Sequence, residues 1–453
     1  MRIWKSHLIG ALSLVLAAAG CKHYPVNAPL AARDTDAGYY LHTQPRPDNS
    51  GDLLLVLAFS GGGTRAAALS YGVLEHLRDT PVQLNGREKP LLHEVDAISS
   101  VSGGSVTAAA YGVYGDEVFG RLEDVFLKQN VQRSLALSVI NPLRWPALWS
   151  STYGRSELAA EYYDRILFRG ATFGDIQKKG GPFIVINATD ISTGARFDFT
   201  QYTFDMMCSD LRQFPVARAV AASSAVPGLL TPVTLNNYAG QCGFPGPEWV
   251  RREYNAGDGR LRLRARELGD LLNSTNRPYL HLVDGGVSDN LGLRPILDTI
   301  TLLEGSPELR DELRVSKVKR LVVISANAYS APEKDWDKSP SPPGSLASAA
   351  AAASLTLDRY SLETLELMHT EFSRWQRQLG TVSEVKLYPI MLNFSNFKDA
   401  AQRNFFLNLP TSFFLPATDV DKLREAGHQL LQENEVFQEL LQDIAQEREA
   451  SDR

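Results

Sequence analysis

Ser102 stands in the run Ser100-Val101-Ser102-Gly103-Gly104-Ser105, after an apolar stretch and before an alanine-rich one. A serine held on a sharp strand-to-helix turn presents its hydroxyl at a helix N-terminus, and small neighbours relieve the crowding. That arrangement makes a nucleophile. Its usual spacing is G-x-S-x-G; Gly104 fills the last place and Ser100 stands at the first. Ser105 is the rival, and it fails because Thr107 occupies the place of its second glycine. A nucleophilic serine needs a base. The chain has eight histidines: His7, His23, His42, His76, His93, His281, His369 and His428. The first three precede the folded body. His369 and His428, which a Ser…Asp…His order would use, sit in helical stretches with acidic neighbours. The remaining type of base is a carboxylate, and Asp284 in Val283-Asp284-Gly285-Gly286-Val287 is the best placed. It follows an apolar run, at the end of a strand, where open α/β sheets form their binding crevice. Gly285 and Gly286 let another backbone come close. The alternative role for Asp284 is a plain Asx-turn residue.

The third feature is Ser60-Gly61-Gly62-Gly63-Thr64-Arg65. Glycines between a strand and a helix leave backbone N–H groups open at a helix N-terminus, a ready anion site. Arg65 is expected to hold this loop in shape rather than to take part in chemistry; pairing with a carboxylate is the other reading. The same loop also fits a dinucleotide G-x-G-x-x-[GA] pattern. The acidic residue expected ~20 positions on is missing, since Asp79 comes too early and Glu94 and Asp96 flank or enter the next strand. No Lys-Ser or Lys-Thr follows, which excludes a P-loop.

These residues need strands and helices in alternation to hold them. Leu53 to Phe59 is a continuous apolar run, as in a strand buried on both faces. A helix is expected over Thr64 to Arg78, a strand over Val95 to Ser99 and a helix over Gly103 to Tyr114. Further apolar runs at 183–186, 279–283 and 321–324 alternate with helical patterns, so the class is α/β with a mostly parallel sheet. Arg260, Arg262, Arg264 and Arg266 alternate with apolar residues and suggest a strand with one solvated face. Ser345 to Arg377 is expected to be a long helix, and Asp419 to Arg448 one acidic amphipathic helix packing across the domain. Trp145 and Trp149, four apart, are expected to share a helical face in the core; an interfacial lip over Ser102 is the alternative.

The chain resembles the patatin-like phospholipase family. Gly61-Gly62-Gly63-Thr64-Arg65 resembles the family's G-G-G-x-R oxyanion-hole motif, and Ser102 its G-x-S-x-G nucleophile. Ala221 to Gly228 resembles an A-S-x-A-x-P block, and Asp284-Gly285-Gly286 the D-G-[GA] motif. Asn187 to Asp190, with Thr193-Gly194, also looks like a family structural block. The resemblance covers roughly residues 53–300. It implies a three-layer patatin-like α/β fold with a central mostly parallel sheet flanked by helices. It also implies a Ser102–Asp284 dyad, an oxyanion hole at Gly61, Gly62 and Gly63, and supporting places for Arg65, Gly104, Gly285 and Gly286. The implied activity is hydrolysis of acyl esters in membrane phospholipids, of phospholipase A or lysophospholipase type. Transfer of the acyl group, a thioesterase, or a non-catalytic lipid-binding scaffold are the other readings.

The N-terminus has a basic start (Arg2, Lys5), an apolar run from Leu8 to Ala19 and then small residues. The run is too short to span ~30 Å of hydrocarbon and reads as a secretory leader, residues 1–20. Ala18-Ala19-Gly20-Cys21 resembles the lipobox of bacterial lipoproteins, with Ala18 where leucine is usual. This implies a lipid on Cys21, and Lys22 after it implies sorting to the outer membrane. Cleavage at an ordinary Ala-x-Ala site is the alternative. Cys208 and Cys242 then form an even pair, suited to a disulfide in an oxidising compartment or to two buried thiols. Residues 21–50 read as a polar tether and 51–395 as the catalytic domain. Insertions are expected at about 130–180, 238–276 and 331–377, and a helical extension over 396–453. The 453 residues are 44% hydrophobic and 22% charged with net charge −6, which argues against disorder and general nucleic-acid binding. No HExxH, CxxC or EF-hand spacing occurs, so no metal or cofactor is expected; the expected partner is membrane lipid.

Overall fold

A computed structural model describes residues 22–255, 259–305, 318–332, 334–382 and 385–451. The leader, and with it Cys21, lies outside the described residues. Ten strands are described: β1 (Leu53–Phe59), β2 (Pro81–Leu84), β3 (Arg87–Pro90), β4 (Val95–Val101), β5 (Phe183–Asp190), β6 (Arg196–Phe199), β7 (Val233–Asn236), β8 (Tyr279–Asp284), β9 (Arg320–Asn327) and β10 (Lys386–Asn393). β2 and β3 make a separate hairpin, turned by Asn85 and Gly86, both at positive φ, the pattern of a tight two-residue turn.

The main sheet runs β10-β9-β1-β4-β5 with every pair parallel. Its alternation builds two cores. Leu55, Leu57 and Phe59 of β1 face one, with Val322 and Ile324 of β9. Val56 and Ala58 face the other, with Leu321 and Val323. Buried on both faces, these strands read as unbroken apolar runs. Helices α1 (Thr64–Asp79) and α2 (Gly103–Tyr114) cover the first face. The second is covered by Met368, Phe372 and Trp375 of a long helix (Ser345–Val382), with Leu293, Ile296 and Leu297. The result is three layers around a mostly parallel sheet, as expected from the alternation of elements.

The far edge turns antiparallel. Asn187 of β5 pairs with Val101 of β4 on one side and Asp198 of β6 on the other; the next residue, Ala188, pairs with Asp284 of β8 and Phe197 of β6. β4 and β8 therefore lie on the same side of β5 and meet end to end, one rising and one descending.

Several expectations are corrected. Residues 260–271 form an α-helix, not a strand. Arg, Leu, Ala and Glu are all good helix formers, and Arg264 is buried between Asp198 Oδ2 (2.8 Å) and the Arg196 carbonyl (2.8 Å). The acidic C-terminal stretch is two helices, Ala417–Gln432 and Glu435–Ser451; Asn434 accepts the Phe437 N–H at 3.0 Å and starts the second. Residues 22–50 are not a free tether. Tyr39 and Tyr40 are fully buried, the Tyr24 hydroxyl donates to Asn236 at 2.6 Å, and the Tyr40 hydroxyl donates to Asp205 at 2.7 Å. Tyr163, Phe173, Ala265 and Trp375, from the stretches expected to be insertions, belong to the two cores. Trp145 and Trp149 are exposed, at 45% and 66%, rather than packed in the core. Among the described residues no helix is long and apolar enough to cross a membrane.

Cys208 and Cys242 are joined in a disulfide with Cα atoms 5.5 Å apart, across 34 positions of sequence. Closing a loop of that length stabilises by about 3–4 kcal/mol through the unfolded chain. Replacing both cysteines by serine is expected to lower the urea-unfolding free energy by that much, whereas reductant should leave the stability of the variant unchanged.

Candidate active site

The end-to-end meeting of β4 and β8 is what brings Ser102 and Asp284 together. The elbow follows Val101, and Asp284 is the last residue of β8, one step further along β5. Ser102 is held at φ 50°, ψ −119°, a conformation that non-glycine residues rarely adopt. Such strain costs on the order of 1–3 kcal/mol and persists only where surroundings enforce it. Enforcement comes from close packing. A Cβ on Gly103 would stand 2.0 Å from the Gly63 carbonyl oxygen, and one on Gly104 would stand 2.7 Å from that of Phe59. Ser100 fits at the first position of the turn because its hydroxyl reaches across to the Val185 carbonyl at 3.1 Å.

The Ser102 hydroxyl donates to Asp284 Oδ2 at 2.9 Å, and the Gly286 N–H donates to Asp284 Oδ1 at 2.8 Å. Both side chains are buried. Burial pushes the Asp284 carboxyl up to about 6, against the opposing effect of these two hydrogen bonds. A carboxylate poised near neutral pH is matched to taking and returning a proton. Its backbone is fixed as well: the Asp284 N–H donates to the Ala225 carbonyl (3.0 Å) and the Thr189 hydroxyl donates to the Asp284 carbonyl (2.9 Å).

Ser223 was not singled out from the sequence, yet it joins the elements of the site. Its hydroxyl accepts the Ser102 N–H at 2.8 Å and donates to the Asn187 carbonyl at 2.6 Å, and its carbonyl accepts the Gly285 N–H at 3.2 Å. Ser105, the rival nucleophile, turns its hydroxyl to Ser223 at 3.0 Å instead. The signal for Ser223 was only its place in the Ala/Ser-rich block. Replacing Ser223 by alanine leaves a buried N–H and a buried carbonyl unpaired. It is expected to cost about 1–3 kcal/mol of stability and to lower turnover more than substrate binding, read by urea unfolding and by kcat and KM.

The glycine loop is only partly the cradle expected. The Gly61 N–H is taken up by the Asn290 carbonyl at 2.9 Å, so it is not free for an anion. The N–H groups of Gly62 and Gly63 donate to no atom of the described residues, and both glycines have positive φ, 143° and 61°. The Gly103 N–H adds one of the orphan donors at the start of α2. Asn290 escaped the sequence reading. Its Oδ1 lies 2.4 Å from where a Gly61 Cβ would stand and 2.9 Å from that of Gly286, so a side chain at either glycine would displace the Asn290 amide.

Arg65 is buried and donates to the Ala328 carbonyl (2.8 Å), the Leu409 carbonyl (2.6 Å) and the Thr411 hydroxyl (3.0 Å). It ties the start of α1 to the end of β9 and to the 409–411 segment, and burial lowers its pKa to about 10. That segment reaches the glycine loop itself, since the Thr64 N–H donates to the Ser412 carbonyl at 2.8 Å. Among the described residues no imidazole hydrogen-bonds to Ser102. His428 lies where its helix crosses α1, 3.8 Å from Glu75.

A three-layer α/β sheet with a serine on a strained strand–helix bend and a carboxylate at the neighbouring strand end has the layout of a serine hydrolase scaffold. The model of the patatin-like phospholipase family matches residues 57–297, more than half of the chain, and the chain belongs to that family. No curated protein matches it significantly. Among solved structures, human GIVD cytosolic phospholipase A2 aligns with a TM-score of 0.44 at 14% identity, over 87% of this chain and 63% of that one. VipD from Legionella pneumophila aligns with a TM-score of 0.28 at 14% identity, over 91% and 71%. The chain thus spans just under two thirds of the human phospholipase.

Proposed function

We propose that the protein is a serine acyl hydrolase that releases fatty acids from membrane phospholipids, with Ser102 as nucleophile and Asp284 as base. The observation that carries this reading is the 2.9 Å hydrogen bond from the Ser102 hydroxyl to a buried carboxylate whose pKa is raised to about 6. Asp284 takes the hydroxyl proton as Ser102 Oγ attacks the ester carbonyl. The tetrahedral oxyanion is met by the amides of Gly62 and Gly63, and Asp284 returns the proton to the departing alcohol. Water, deprotonated by the same carboxylate, then attacks the acyl-Ser102 ester; Asp284 returns that proton to the departing Ser102 oxygen, and a free fatty acid leaves. A preorganised donor of this kind is worth about 3–4 kcal/mol of barrier. The chain is further proposed to be an outer-membrane lipoprotein anchored through Cys21 after removal of residues 1–20.

A fluorophosphonate probe, with the labelled peptide mapped by mass spectrometry, tests the nucleophile, and fatty-acid release from phosphatidylcholine vesicles tests the substrate class. Label on Ser102 with release of fatty acid supports the reading. A folded protein that neither labels nor releases fatty acid favours a lipid-binding scaffold. Label on Ser102 with acyl transfer to an added alcohol in preference to water favours an acyltransferase.

A further inference from the structure

Among the described residues, segment 131–156 carries a run of exposed apolar side chains. Ile140, Leu143 and Trp149 are 63%, 89% and 66% exposed, and Leu137 and Trp145 add to the same stretch. Scattered exposed leucines are ordinary; a contiguous group with two tryptophans marks an interaction site.

Both ends of the segment are fixed at the rim of the Ser102 site. At one end, the Gln132 N–H donates to the Phe413 carbonyl, next to Ser412, which holds Thr64 of the glycine loop. At the other, Arg155 donates to the Gly228 carbonyl at 3.3 Å, beside the exposed Leu229. Gly228 and Leu229 belong to the loop whose Ala225 carbonyl accepts the Asp284 N–H. The segment is therefore tied at one end to the chain beside the glycine loop and at the other to the loop that holds Asp284.

Two observations identify what covers it. The first is charge. Residues 131–156 include no aspartate or glutamate, in a chain of net charge −6, and of their three arginines Arg144 pairs with Glu161 while Arg133 and Arg155 are left to face an anionic surface. Apolar groups with basic residues and interfacial tryptophans suit an anionic lipid surface. The second is where the N-terminus lies. Lys22 donates to Glu161 at 2.6 Å and to the Tyr153 hydroxyl at 3.1 Å, and the Tyr24 N–H donates to the Thr152 carbonyl at 3.0 Å. Arg144 holds the same Glu161 at 2.9 Å. Lys22, the residue after Cys21 in the sequence, is thus docked on this segment.

We propose that segment 131–156 is a bilayer-docking face, which seats the mouth of the Ser102 site on the membrane from the side where Lys22 docks. The inference rests on the proposed action on bilayer lipids and on the proposed acylation of Cys21. A lipid on Cys21 and the inserted Leu143 and Trp149 would act together, since one chain alone anchors only marginally and a second signal makes anchoring stable.

The test uses the acylated protein with Ser102→Ala, so that vesicles survive; a Cys21 whose sulfur carries the lipid has no free thiol and Cys208 and Cys242 are paired, so an introduced thiol is the only free one. A bimane fluorophore is placed at Leu143→Cys or, for comparison, at Leu263→Cys. Leu263 is 58% exposed, but its helix packs towards Asp198 and Asp298. The protein is mixed with phosphatidylcholine–phosphatidylglycerol vesicles carrying spin-labelled lipid. Emission at 143 is expected to fall by roughly half or more, as for a face inserted ~5–10 Å into the headgroup boundary, while emission at 263 stays constant. A bound protein unquenched at 143, or quenched equally at both sites, would overturn the proposal, as would a folded chain that does not sediment with the vesicles. Because binding is read without turnover, a chain that docks through residue 143 but releases no fatty acid in its wild-type form leaves this inference standing and removes the hydrolase reading.

Discussion

Changing Asp284 to asparagine is expected to lower ester hydrolysis by about 10²–10⁴-fold and, at neutral pH, to make the fold more stable. The first effect follows from the site. Asparagine keeps the shape, its oxygen still accepting the Gly286 N–H and its NH2 donating to the Ser102 oxygen, but it cannot take the proton, and general-base catalysis contributes about 10²–10⁴-fold. Ser102→Ala is expected to remove the remainder together with fluorophosphonate labelling. The second effect follows from linkage. The Asp284 carboxyl is raised from 3.8 to about 6 by burial. Between those values the folded chain holds a proton that the unfolded chain has lost, so this group's contribution to stability falls as pH rises through the window. Above about 6 the whole cost of a buried charge is present, on the order of 3 kcal/mol. Asparagine escapes it. The variant should therefore melt higher than wild type at pH 8, with the difference vanishing near pH 4. In the wild type kcat/KM should rise with pH through about 6, as the base becomes available. A flat profile between pH 5 and 7, or an asparagine variant no more stable than wild type at pH 8, would show that Asp284 is not the buried titrating base.

The parts of this site legible in the sequence are those fixed by local rules. The bend at Ser102 is written into small residues between an apolar strand and an alanine-rich helix, and the strand before Asp284 into an apolar run. What could not be read was tertiary. The antiparallel meeting of β8 with β4 along β5 depends on a long excursion between residues 190 and 279, and no periodicity records it. The capture of the Gly61 amide by Asn290 is a contact across 229 positions, so the glycine loop looked like three equivalent donors when two are open. Arg264 shows how pattern alone misleads. Alternation with leucine suggested a strand, but the buried carboxylate of Asp198 pairs with Arg264 from a helix. The spacing of Trp145 and Trp149 suits a helical face and so suggests the core. Spacing says that two side chains share a face; it does not say whether that face meets protein, water or lipid.

Gly103→Ala is expected to cost activity out of proportion to its cost in stability, and a second glycine gives the comparison. A methyl at residue 103 would lie 2.0 Å from the Gly63 carbonyl oxygen and 2.7 Å from its carbonyl carbon. No side chain can swing away to make room, because the obstacle is backbone, so the glycine loop and the elbow must separate. Overpacking of this kind typically costs 1–3 kcal/mol or more. The separation also moves the Gly62 and Gly63 amides off the position where the oxyanion forms, and the loss of one such donor lowers kcat by about 10²–10³-fold. Gly72→Ala meets a similar obstacle, with its methyl 2.1 Å from the Arg424 carbonyl oxygen where α1 crosses the helix Ala417–Gln432. That crossing lies along the body of α1 rather than at its start, so the expected outcome is a lower melting temperature with kcat per folded molecule close to wild type. Measured side by side, the two variants separate the requirement for close backbone packing in the fold from the same requirement in catalysis. If Gly103→Ala lost only stability, as Gly72→Ala should, the glycine loop would hold the elbow in place without supplying the donors that stabilise the oxyanion.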